Sequence, residues 1–193
     1  MAIDLNKVDV IGIHGPLNGG KDTVCNLLKE LRPGQFAQYA FARPLKEAGM
    51  ILFGFTMEHF EDRVLKEQVD PYWGFSPRKA MQLLGTEYGR QMLREDIWIR
   101  RAQREVELNK AKGLKTIITD VRFENEAEWI RSLGDSAGLI YLSVPGLVRD
   151  EKYNHASEAG ISHDASDVNI LNDKSKGLQH LTYLVAEACG IRL

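Results

Sequence analysis

Cysteine is scarce: the 193-residue chain has two, Cys25 and Cys189, far apart and in no CxxC pair. That excludes a disulfide framework and a Cys-rich zinc site, and it suits a reducing compartment. Long apolar runs are missing too. The longest stretch without a charged residue, Ser136 to Val148, has 13 residues and contains Pro145, short of the about 18 apolar residues that a membrane span needs. Asp4, Lys7 and Asp9 fall where a secretory leader would be apolar, so no leader is expected. Neither sign of charge dominates, since 25 Lys and Arg against 27 Asp and Glu leave a net charge of −2. Such balance argues against a broad nucleic-acid-binding face and leaves room for a local anion site. Internal repeats, low-complexity tracts and linkers are absent as well. What these absences leave is a cytoplasmic chain of one domain, able to bury roughly 70 % of its unfolded surface without staples.

Apolar periodicity fills in the elements. Val8 to Ile13 predicts a short buried strand that ends at Gly15-Pro16. Lys21 to Leu31 reads as a helix on the spacing of Val24, Leu27, Leu28 and Leu31, stopped by Pro33-Gly34. Gln35 to Phe41 is a second strand and Pro44 to Phe53 a helix with proline in its first turn. Glu58 to Phe75 reads as irregular; Ser76-Pro77 then caps a helix expected to run to about Arg94. Asp96 caps another, Ile97 to Lys112, ended by Gly113. Strands at Thr116–Thr119, Leu139–Val144 and Asp167–Leu171 alternate with helices at Asn125–Leu133 and Ser175–Cys189. This alternation predicts an α/β fold, with a parallel sheet of about five strands and helices on both faces. Residues 44–112 carry no strand signal and read as a helical insertion, where a substrate-specific subdomain fits.

The first strand and first helix are joined by Gly15-Pro-Leu-Asn18-Gly19-Gly20-Lys21-Asp22-Thr23. This is the G-x-x-x-x-G-K frame in the context it requires, strand before and helix after. Glycines let backbone N–H groups turn inward around phosphate oxygens, the helix N-terminus adds its positive end, and Lys21 brings a mobile charge. Asp22 stands where a Ser or Thr hydroxyl commonly meets Mg²⁺, so Asp22 and Thr23 divide the metal and phosphate roles in a way that spacing leaves open. Asp120, at the end of a buried strand, falls on the sheet edge where ligands sit, and Arg122 is placed to fork a phosphate. Asp120 alternatively caps the next helix, and Glu124 and Glu126 alternatively serve as first-turn helix acids.

In the insertion, Arg43 and Lys46 lie one helical turn apart, a grip for an anion. Arg78, Gln82 and Thr86 fall near one helix face. Gln82 can hydrogen-bond a base edge and Trp98 can offer a stacking plane; the plainer readings are surface arginines and a core tryptophan. Residues 145–165 read as a lid carrying Arg149, Lys152, His155 and Glu158. No Cys or HxxxH spacing supports zinc at His155 and His163.

Taken in order, GKDT, FARPLKE, SPRKAMQLLGTEYGR, DIWIR, TDVRFENEAEWI, HASEAG and DVNILND resemble bacteriophage deoxynucleoside monophosphate kinases, over Val8 to about Leu184. The resemblance implies a P-loop nucleoside-monophosphate-kinase fold that moves the γ-phosphoryl of ATP, with Mg²⁺, to a dNMP. Asn18, Gly19, Gly20, Lys21, Asp22 and Thr23 would then form the ATP site, with Asn172 near the adenine. Arg43 (on charge alone), Lys46, Arg78, Gln82, Gly85, Thr86 and Trp98 would line the dNMP pocket, with Glu124 and Glu158 beside it. Lys21, Asp120, Arg122 and the lid's Arg149 would share the catalysis, with Asp22 and Asp120 toward the metal. Nucleotides are the partners implied, with neither nucleic acid nor membrane, in a host cytoplasm if phage-encoded; a homodimer is common among similar kinases. Two other readings share the P-loop. One is a kinase of another small phosphorylated acceptor, of the dephospho-coenzyme A or phosphomevalonate type. The other is a nucleotide switch or nucleic-acid-dependent ATPase.

Overall fold

Val10–His14 (β1) is buried at all five positions, as a strand covered on both sheet faces must be. The computed structural model describes residues 2–146 and 160–193. After β1 come Lys21–Leu31 (α1), Phe36–Tyr39 (β2), Lys115–Val121 (β3), Glu124–Ser132 (α6), Ala137–Ser143 (β4), Val168–Leu171 (β5) and Gly177–Ala188 (α7). All strand pairs are parallel and the sheet order is β2-β3-β1-β4-β5. The chain therefore leaves β1 toward one side for β2 and β3 and builds β4 and β5 on the other. That makes β1 the switch point, whose carboxyl end opens the ligand crevice of such sheets. Val24, Leu28, Leu181 and Val185 from α1 and α7 pack with Ile11 and Ile140 in one core, and α6 packs on β1 and β4.

Two compact units divide the chain: residues 1–40 with 102–193, and residues 41–101. The second unit has no strand among the described residues. It contains Arg43–Phe53 (α2), Met57–Glu61 (α3) and Pro77–Gln82 (α4), and the helix Ile97–Ala111 (α5) starts within it. Phe55, Phe60 and Ala80 form its small core, with Phe53, Phe75 and Met81 against them. The stretch expected to be irregular holds α3 and two aspartate-stitched turns. Asp62 Oδ1 accepts from the N–H groups of Val64 and Leu65, both at 2.8 Å, and Asp70 Oδ1 from those of Tyr72 and Trp73 at 2.9 and 3.0 Å. Side-chain oxygens of this kind replace the backbone partners that a loop lacks.

Ser76 caps α4 as expected, its Oγ accepting from Lys79 N–H at 3.2 Å, with Pro77 in the first turn. Ser76→Ala should cost about 1 kcal/mol of stability in urea unfolding; an unchanged midpoint would show that the cap is idle. The helix does not continue in α form to Arg94. Leu83–Leu93 is a π-helix, closed by Arg94 N–H on Gly89 O, five residues back, at 2.9 Å. Its cause lies in packing. The Trp98 indole N–H donates to Gly85 O at 2.8 Å, and a side chain at Gly89 would meet Trp98 Cζ2 at 2.7 Å. The wide turn and the bare glycine together admit the ring.

Candidate active site

The loop between β1 and α1 is shaped by its own residues. Asn18 has φ 60° and Gly20 φ 97°, both in the left-handed region. At Gly20 glycine is required twice over, because a Cβ there would come within 2.7 Å of Asn172 Nδ2. That amide donates to Gly19 O at 2.9 Å, and Lys174 Nζ donates to Asn18 O at 2.9 Å. The segment after β5 thus clamps the back of the loop. Asn172, expected near an adenine, makes its visible contact with the loop backbone. Lys174 is a residue that sequence reading passed over, being one of many exposed lysines.

Lys21 lies across the loop mouth, its Nζ donating to the carbonyls of Gly15 and Pro16, each at 2.8 Å. The first turn of α1 has no side-chain cap, and Asp22 in that turn is exposed, with Gln38 Nε2 3.4 Å from its Oδ1. Thr23 is half-buried.

Asp120 is the penultimate residue of β3, which runs two residues past the expected end at Thr119. The β1–β3 register steps from Gly12 opposite Ile118 to His14 opposite Val121, so β3 carries one extra residue at Thr119–Asp120. A bulge of this kind re-aims side chains at a strand end. Because Gly15 follows His14, the end of β3 lies beside the start of the phosphate loop. Asp120 and Arg122 are both half-buried there.

Glu124, expected beside the acceptor nucleotide, is hydrogen-bonded within the protein. Its Oε1 accepts from Arg131 Nη1 at 3.1 Å and its Oε2 from Ser162 N–H at 2.7 Å. Arg131 also forks onto Asp167, with Nε to Oδ1 at 3.0 Å and Nη2 to Oδ2 at 2.8 Å, and reaches Ser162 O at 2.7 Å. Neither Arg131 nor Asp167 was singled out by sequence, since their partners lie 36 residues apart.

In the second unit, Arg43 pairs with Glu47 at 3.0 Å, Lys46 with Glu61 at 3.5 Å and Arg78 with Glu67. Gln82 ends α4 half-buried; Gly85 and Thr86 are buried in the π-helix, where Leu45, the neighbour of Lys46, packs within 2.9 Å of where a Gly85 side chain would begin. Trp98 is engaged with Gly85 and Gly89, as described above. The expected lid cation Arg149 and Glu158 lie outside the described residues.

His14, which no motif marks, is a buried ring at the end of β1, just before the loop. Burial lowers its pKa below the ordinary 6.5, opposed by its bond to Val121 O, with Lys21 lowering it further, Asp167 raising it and Arg131 lowering it. The unfolded chain therefore binds the proton first as pH falls through 6.5. Stability should be full above that value and decline below it, down to the folded pKa. Urea unfolding at about pH 7.5 and about pH 5.5 reads this; the slope should shrink in His14→Asn.

Oxygen donors at Asp22 and Asp120 suit a hard divalent cation. Among the described residues no three or more His, Cys, Asp or Glu gather to cage a metal. Mg²⁺ needs no such cage, being held characteristically by one or two carboxylates together with substrate phosphates.

Comparison with known proteins places this chain in a family. The description of deoxynucleotide monophosphate kinases matches residues 50–182. The deoxynucleoside-5'-monophosphate kinase of Escherichia phage T5 is 27% identical, covering 95% of this chain and 97% of that protein. A protein of Acanthamoeba polyphaga mimivirus, provisionally assigned as a deoxynucleotide monophosphate kinase, is 32% identical over 86% of this chain and 89% of its own. Among solved structures, an unliganded sugar kinase from Janibacter sp. superposes with a TM-score of 0.53 at 13% identity, covering 93% of each chain, which extends the likeness to the kinase fold. The chain belongs to the deoxynucleotide monophosphate kinase family.

Proposed function

We propose that the protein transfers the γ-phosphoryl group of ATP to deoxynucleoside 5'-monophosphates, giving ADP and dNDP for dNTP supply. The observation that carries this is the glycine loop at the sheet's switch point, with Gly20 at φ 97° and Lys21 beside it, in a chain of this family. Kinase activity follows from the family; the roles given to residues here are our reading.

Backbone N–H groups of Asn18 to Thr23 bind the ATP phosphates, and Lys21 exchanges its two loop carbonyls for phosphate oxygens. The clamp from Asn172 and Lys174 holds the loop open for that exchange. Asp22 and Asp120 would hold Mg²⁺, which when bound neutralises phosphate charge. Arg122 faces the charge that spreads over the moving phosphoryl group, with Arg149 as a second cation. The acceptor phosphate oxygen of a dNMP is already anionic near pH 7, so no general base is assigned, and catalysis is alignment plus charge stabilisation. Lys46, Arg78, Gln82, Thr86 and Trp98, with Arg43 on charge alone, are read as the acceptor's hold. Arg43, Lys46 and Arg78 are paired with Glu47, Glu61 and Glu67; in this reading an incoming phosphate takes the place of those carboxylates. Nucleotide substrates fit a cytoplasmic enzyme, in the host if the gene is viral; among the described residues no helix is long and apolar enough to cross a membrane.

The test is ADP release with Mg-ATP and dAMP, dGMP, dCMP, dTMP, AMP or GMP supplied in turn. Turnover with at least one dNMP, and little with the ribonucleotides, is the expected result. Silence with all six while ATP binds would move the assignment to another phosphorylated acceptor or to a nucleotide switch.

A further inference from the structure

The peptide unit joining Val121 to Arg122 is held at both ends by buried side chains. Its carbonyl oxygen accepts from His14 Nδ1 at 2.9 Å. A carbonyl can only accept, so Nδ1 carries the proton and the tautomer is settled. Its N–H donates to Glu126 Oε2 at 2.8 Å, and the same oxygen takes Phe123 N–H at 3.1 Å. His14 is 8% exposed and Glu126 1%, so water does not compete for either bond. Tyr141 packs against the imidazole, ring centroids 4.8 Å apart.

This peptide sits just after the extra residue of β3, where the regular β1–β3 ladder has been broken. A bulged strand end has lost a ladder restraint on its direction, and here two side chains supply the replacement. Asp120 precedes the pinned peptide by one residue and Arg122 is part of it. We infer that His14 is a positioning residue of the phosphoryl-transfer site, which holds the Val121–Arg122 peptide against Glu126 and thereby sets the aim of Asp120 and Arg122. It touches no substrate in this role. The inference rests on the reading of Arg122 given above, and two measurements separate the two.

The first is amide hydrogen exchange at Arg122 in the full-length protein, which needs no activity. The parent should protect this amide, and His14→Leu should speed its exchange at least about tenfold, since the peptide then hangs on one bond. His14→Asn, whose Nδ2 lies near the place of Nδ1, should restore protection while keeping the fold if the leucine variant is unstable. Exchange that is equally slow in all three overturns the inference. The second is a kinetic cycle with the fastest acceptor. His14→Leu should lower kcat about 30-fold in the parent, with the KM for ATP moved less than about threefold, and about threefold or less in an Arg122→Ala background. Equal losses in both backgrounds overturn the claim that His14 acts through Arg122. An Arg122→Ala enzyme with the parent's turnover overturns the catalytic reading of Arg122, and with it the kinetic half of the inference, whereas the exchange result then reports on the peptide alone.

Discussion

Lys21→Ala lowers kcat at least about 100-fold and leaves the fold in place. The rate effect follows from charge: phosphoryl transfer gives the protein little covalent work, and a preorganised cation at the developing charge is worth about 3–4 kcal/mol. The small structural effect follows from location. Lys21 Nζ satisfies the carbonyls of Gly15 and Pro16, but both residues are only half-buried, so water replaces the ammonium at a net cost of about 1 kcal/mol or less. A coupled ADP assay and a thermal melt on the same preparation check the pair of claims. Near-native turnover would remove Lys21 from the mechanism, and an unfolded variant would show that the lysine builds the loop as well as serving it.

The largest stability loss should come from a residue with no assigned chemistry. Arg131 is 16% exposed and ties α6 to the segment before β5, while the Asp167 side chain it forks onto is fully buried. Arg131→Met keeps most of the apolar stem and leaves that carboxylate without the Arg131 cation, held by the Asp164 N–H at 2.9 Å. Breaking a buried pair from one side costs about 3–5 kcal/mol, because an uncompensated charge is left inside. For a chain of this length that corresponds to a fall in Tm of roughly 10 °C. Adding Asp167→Asn, which removes the stranded charge, should recover most of the loss. The loss should also exceed that of Arg131→Lys, whose single ammonium keeps the charge without the fork. If Arg131→Met and Arg131→Lys melt together with the parent, the network is ornamental.

Local chemistry was readable where the chain carries its own punctuation. The helix expected at Lys21–Leu31 occupies those residues, because a left-handed glycine starts it and Pro33-Gly34 follows its end. Parallel strands, the Ser76 cap and the phosphate loop were legible for the same reason. What stayed hidden depends on partners distant in sequence. His14 meets Val121 across 107 residues and Asn172 meets Gly19 across 153. Glu126 looks like any first-turn acid until its burial shows that it bonds the chain entering α6. Glu124 sits in the expected motif, and its bonds to Arg131 and Ser162, 7 and 38 residues away, are equally invisible to a motif. The π-helix escaped because nothing in a hydrophobic period distinguishes a bond to the fifth residue from one to the fourth, and the indole that favours it arrives from the next helix.

That change of pitch works as a vernier. Four residues of α-helix overshoot one full turn by about 40°, whereas four residues of the wider π-helix fall short of one. Arg78 and Gln82 lie in or at the end of α4, and Thr86 and Arg90 follow in the π-helix. The advance accumulated over the first interval is given back over the next two, so side chains spaced four apart stay in file along the axis where a uniform α-helix would spiral them away. Thr86 and Arg90 are buried and Arg78 and Gln82 half-buried, so the file of arginine, glutamine, threonine and arginine lies on a covered face of the helix and not along an open edge.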